Sequence, residues 1–319
     1  MGRMAGSMPK AWDRDELIRC GAIETGHKFR LDLHGEIHPI FRNWVIGSSD
    51  RSDLLAELQQ PLLLVSRILE AVGYQWLSSF FPDEGHSARG HCEAPRKLLG
   101  TSCLHSAAET VAKDASSDGA LESARLELSS ALPRCIVWQL DADMFRERGW
   151  VGYTARHPRT GTGFQGLDAP ETIEKWDGLA HMINAKYRSL TVMVMQEYPA
   201  RLRELRRFGL EDTEEYVFTA FMAAVTVLHE LGHVAFWKDF SALNPRMGEP
   251  YHGNDLEMEL GDSFVARIFG GWVPFPVLDA DSFRRCPSFR DGLAWRQHLT
   301  LEHGVRPLFR AHYSIRAAQ

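Results

Sequence analysis

Residues 227–237 read VLHELGHVAFW, and His229, Glu230 and His233 are the side chains in it that could do chemistry. On an α-helix, positions four apart lie on one face, a single turn displaced. His229 and His233 would then hold one metal ion between their imidazoles. Glu230, offset by one residue, would stand beside the ion rather than on it, placed to take a proton from a metal-bound water. This is the content of the HExxH pattern, in which one helical turn carries two ligands and a general base, and Zn2+ is the expected ion. Zinc would bring the water's pKa to about 7 and polarise a substrate carbonyl.

A catalytic zinc site ordinarily takes three protein ligands and keeps one position open. In metzincins and their aspartate-bearing relatives HExxH is extended by a glycine turn and a ligand ten residues after the first histidine; a resemblance to them would imply Asp239 as that ligand, but Phe236 stands where their turn glycine should be. A richer source is NDLEMELGDSFVARIFGG, residues 254–271. It reads as a helix from about Leu256, with Asn254 or Asp255 as cap and Gly270-Gly271 at its end. Glu257, Glu259 and Asp262 are its possible ligands. Glu259 and Asp262 share a face, so one acid could bind the metal while the other orients a ligand histidine through its second nitrogen. Gly261 would let this helix pack closely on the HExxH helix, and Gly232 invites another backbone or a substrate to approach between the histidines. Tyr251 and His252 precede the acidic helix and are candidates for stabilising an oxyanion. His181 and His303 are weaker candidates for that role.

HELGH followed by a helix bearing E-x-x-D resembles the gluzincins of the zincin-like metallopeptidase superfamily. The resemblance covers residues 213–271 and implies a zincin-type core. By it, Glu259 maps to the third zinc ligand and Asp262 to the acid that supports a histidine. The spacing here is one residue shorter than the usual E-x-x-x-D. The E-L-G-D-S-F form is similar to a group of poorly characterised fungal zincin-like proteins.

The elements that must position these residues are legible to different degrees. YVFTAFMAAVTVLHELGHVAFW is apolar nearly all round, as a helix crossing a core should be, and the spacing predicts a helix over 213–237. Helices are also expected over 51–81, with a kink or split at Pro61, and over 121–132, 171–186 and 198–208. CIVWQL (135–140) has strand composition, TVMVM (191–195) fits strand or helix, and residues 27–46 suggest a hairpin turning at His34-Gly35-Glu36. Residues 82–120 read as an irregular excursion. Its His86, His91, Cys92, Cys103 and His105 match no zinc module. Residues 152–170, with four glycines and two prolines, read as a boundary or active-site loop. GTGFQG within it lacks the preceding strand that a nucleotide loop requires.

The chain of 319 residues carries a net charge of −6, which argues against a nucleic-acid partner. RLRELRRF (201–208) reads as a solvated basic face. The apolar run from Val217 to Leu228 looks too short to span a bilayer, and no signal segment is evident at the N-terminus. Five scattered cysteines suggest reduced thiols and a cytoplasmic setting. The expectation is therefore a helix-rich α+β, zincin-like core with an HExxH active-site helix and a second, glutamate-bearing helix. An N-terminal mixed portion, residues 1–165, would join a metal-binding catalytic portion, residues 166–319, with one continuous domain as the alternative. The activity expected is that of a zinc-dependent hydrolase, with Glu230 activating water against an amide or peptide-like carbonyl. The alternatives are a zinc enzyme of the same fold acting on a small molecule in a biosynthetic pathway, and a non-catalytic zinc-binding protein.

Overall fold

The computed structural model describes residues 31–45, 49–81, 118–155, 178, 179, 182, 185–238, 260–269, 272–276 and 293–297. Within these, the architecture is helix-rich with a small mixed sheet, an α+β arrangement.

Three strands make the main sheet: β1 (Ile136–Asp141), β2 (Gly152–Ala155) and β3 (Leu190–Met195), in the order β1-β3-β2. β3 runs parallel to β1 and antiparallel to β2. LTVMVM is buried at every position, as a central strand covered on both faces must be, and this resolves the strand-or-helix ambiguity of residues 191–195. Asp141 ends β1 and turns the chain, its Oδ1 accepting from the N–H groups of Asp143 at 2.9 Å and Met144 at 2.7 Å. That contact starts the short helix α4 (Met144–Arg148), which Gly149 closes at φ 70°.

Two expectations need correction. Gly152–Ala155 is a strand rather than the start of a loop: Tyr153 and Thr154 have strand propensity, and β3 supplies the hydrogen bonds that glycine content alone could not forecast. The expected hairpin over 27–46 does not form among its described residues. They hold instead a 3-10 turn at Pro39–Phe41 and a single parallel bridge from Trp44 to Trp138, on the outer side of β1. Pro39 fixes the local turn, and the indole Nε1 of Trp138 donates to the Ile40 carbonyl at 2.7 Å, which draws the segment onto the core.

The helices follow their apolar periodicity closely. Helix α1 (Ser49–Glu57) gives way at Leu58 to α2 (Gln59–Ile68), so the split falls just before Pro61, which occupies the tolerant first turn of α2. α2 continues through a π-helical stretch, Leu69–Gly73, into a last α turn, Tyr74–Leu77. α3 is Asp118–Ser129, α5 is Glu197–Arg207 and α6 is Glu214–Trp237. α7 (Leu260–Ile268) leads to a two-stranded antiparallel ribbon of β4 (Trp272–Pro276) and β5 (Leu293–Gln297) that the sequence reading did not foresee. Of the expected helix over 171–186, Gly178, Leu179 and Met182 are helical, Ala185 and Lys186 are not, and the remaining positions lie outside the described residues.

One hydrophobic core runs from Ile40 and Phe41 through Trp138 and β3 to α6 and Phe264, drawing on residues from both sides of the expected boundary at 165/166. α6 threads it, packing on α2, α5, α7, β2 and β3. At 24 residues α6 is long and apolar enough to cross a membrane, contrary to the estimate from Val217–Leu228 alone, yet 72% of its most apolar window is buried inside the protein. Such burial is compatible with the core helix of a soluble protein. The basic face of α5 leaves Arg206 and Arg207 exposed, as expected, and also makes ion pairs. Arg201 bonds Glu204 at 2.8 Å and Glu215 at 3.3 Å, and Arg206 reaches Glu57 at 3.1 Å, tying α5 to α6 and α1.

Candidate metal centre

Helix α6 begins where Thr213 caps it, accepting from the Tyr216 N–H at 3.4 Å, with Glu214 and Glu215 complementing the positive helix end. Four turns later the helix brings His229, Glu230 and His233 to one place, their ligand atoms all within 4.8 Å of one another. The imidazole Nε2 atoms of His229 and His233 stand 3.2 Å apart. Two nitrogens bound tetrahedrally to zinc at about 2.05 Å would be separated by about 3.3 Å. The donor set and its spacing therefore fit that ion.

Asp262 comes from α7, with Oδ1 3.2 Å from Nδ1 of His229. A carboxylate on Nδ1 favours the proton there, leaving the Nε2 lone pair to face His233. Helix α7 can bring it this close because Gly261 has no side chain. A Cβ at Gly261 would lie 2.6 Å from Cδ2 of His229, and one at Gly232 would lie 3.2 Å from the Gly261 Cα and 3.3 Å from Phe264. The two glycines face each other across the α6–α7 crossing, and the close backbone approach expected at Gly232 is made by α7. Phe264 backs the crossing, stacked on Trp76 with ring centroids 4.8 Å apart.

Glu230 is 2% exposed. A carboxylate so deep in an apolar helix is costly unless bonded. Its Oε2 accepts from the Thr154 hydroxyl at 2.7 Å, while Oε1 lies 3.9 Å from Nε2 of His229. Gly152 lies on the same face of β2 as Thr154 and leaves room for the carboxylate: a Cβ there would sit 2.8 Å from Cδ and 2.9 Å from Cγ of Glu230. Neither Gly152 nor Thr154 was singled out from the sequence. The one available signal was the alternation of Gly152, Tyr153 and Thr154, submerged in a glycine-rich stretch.

One turn back along α6, Thr226 bonds the hydroxyl of Tyr198 at 3.1 Å, and complete burial pushes the Tyr198 phenol well above its usual range. This contact fixes α5 against the helix that carries the histidines. Among the expected site residues, the structure thus brings together His229, Glu230, His233 and Asp262. Glu259 lies outside the described residues, as do Glu257, Asp239, Tyr251, His252, His181 and His303, and so does the His- and Cys-containing segment 82–117.

No protein-family model, curated protein or solved structure matches this chain.

Proposed function

We propose that this protein is a zinc-dependent hydrolase acting on an amide or peptide-like carbonyl, built on a zincin-like core. The observation that carries the reading is the convergence of the two Nε2 atoms at 3.2 Å with a buried glutamate beside them. His229 and His233 would hold the ion, with Glu259, one helical turn before Asp262 in sequence, as the third ligand. Zinc, when bound, supplies Lewis acidity that activates water and polarises a carbonyl.

The chain's own residues supply the rest. Asp262 orients the ring of His229 and keeps its proton on Nδ1, so that Nε2 presents a lone pair. Glu230 is the base: Oε1 faces the histidine pair, takes a proton from the attacking water and passes it to the leaving nitrogen. A purely structural metal site has no use for a glutamate held in this way, and this weighs against the non-catalytic reading.

Glu230→Gln tests the assignment, because an amide fills the same space and cannot accept the proton. The purified variant should keep the zinc content and melting temperature of the parent. Its rate of releasing new amino termini from a mixed peptide library should fall at least about 100-fold. A variant that cleaves within a few-fold of the parent would remove Glu230 from the chemistry.

A further inference from the structure

Strand β2 touches the catalytic glutamate through two residues that no part of the HExxH pattern contains. Thr154 and Gly152 alternate on one face of the strand, both toward Glu230. The Thr154 hydroxyl lies 2.7 Å from Oε2 and 3.4 Å from the Glu230 backbone carbonyl, so its proton is within reach of both acceptors on one residue. Gly152 leaves a space that the Glu230 side chain fills. With Oε2 bonded to Thr154, Oε1 packs against Gly152 and lies 3.9 Å from Nε2 of His229.

We propose that Thr154 is a positioning residue for Glu230. Its hydroxyl pins Oε2 to the strand and thereby aims Oε1 at the metal position, and Gly152 provides the room in which that orientation fits. The inference rests on the zinc-hydrolase reading. A free glutamate side chain has three rotatable bonds and loses considerable rotamer freedom when it is fixed. A hydrogen bond to a charged acceptor is strong enough to select one rotamer. Thr154 is itself immobile, because it sits in a strand paired to β3 opposite Val192 and β-branched side chains have few χ1 choices. The main sheet therefore sets the aim of the base, while α7 sets the tautomer of the ligand His229.

The test uses the full chain loaded with cobalt(II), whose visible spectrum reports the geometry around the ion, and acetohydroxamate as a probe that chelates the ion and places a proton beside the base. Thr154→Val removes the donor and keeps the shape; Thr154→Ser keeps the donor. All three proteins should bind one cobalt per chain. Thr154→Val should bind acetohydroxamate about tenfold more weakly, with an altered cobalt spectrum, and Thr154→Ser should stay within about twofold of the parent. In a Glu230→Ala background, Thr154→Val should make no further difference. Should Thr154→Val fail to fold, Thr154→Ala carries the same comparison. Equal losses in the Ser and Val variants, no loss in either, or an undiminished loss without Glu230 would overturn the inference alone. A parent chain that binds no cobalt would overturn it together with the zinc-hydrolase reading.

Discussion

The two nitrogens of His229 have separate partners, and the site depends on that separation. Nδ1 meets Asp262 at 3.2 Å and Nε2 meets His233 at 3.2 Å. Removing the carboxylate frees the tautomer and the ring angle without deleting a ligand, so Asp262→Ala should weaken zinc binding by about 10–100-fold in chelator competition. Glu259→Ala should cost more than this, as the loss of a proposed ligand, and Glu257→Ala should cost almost nothing. A ranking with Glu257 or Asp239 as the most damaging position would contradict the gluzincin-like ligand set. The histidines and Glu230 were legible in the sequence because one helical turn fixes their relation. Asp262 was legible as an acid on a second helix close by in the chain. Thr154 was not, because its bond to Glu230 spans 76 residues and depends on a four-residue strand that forms only when β3 is there to pair with it.

Between elements, the decisive contact is the α6–α7 crossing. Gly to Ala in a helix interior ordinarily stabilises by up to about 1 kcal/mol. At Gly261 the sign should reverse, because the added methyl would stand 2.6 Å from the His229 ring and 2.7 Å from its Nε2. Gly261→Ala should lower the melting temperature and also weaken zinc binding, since relief of the clash must move either α7 or the ligand ring. A Gly261→Ala protein as stable as its parent, with unchanged zinc affinity, would mean that the helices do not approach as described. Most helices were readable from apolar periodicity, including the break near Pro61. The sheet was only half readable. β1 and β3 have strand composition, but β2 lay hidden among glycines, and the hairpin read over 27–46 gave way to a tertiary contact with Trp138. Local pattern cannot weigh such a long-range competitor.

At the scale of the molecule, one core joins segments from near the N-terminus to α7, so a group far from the metal bears on the stability of the whole. His38 is such a group. Its Nδ1 accepts from the Ile40 N–H at 3.2 Å, its Nε2 lies 2.6 Å from the Tyr74 hydroxyl, and burial, aided by the nearby Arg42 charge, lowers its pKa to about 4. The unfolded chain binds this proton near pH 6.5 and the folded chain does not until about pH 4. Stability should therefore be fully present above pH 6.5, fall as the pH drops through that window, and level off below it for this group. The loss should approach about 3 kcal/mol. Urea midpoints at pH 7 and pH 4.5, taken with chelator present, should differ more in the parent than in His38→Gln; equal shifts would assign the acid sensitivity elsewhere. Elemental analysis of the purified chain should find about one zinc per molecule, lost in the His229→Ala, His233→Ala double variant with the fold retained. A parent protein that takes up no zinc, or a double variant that keeps it at full occupancy, would contradict the account.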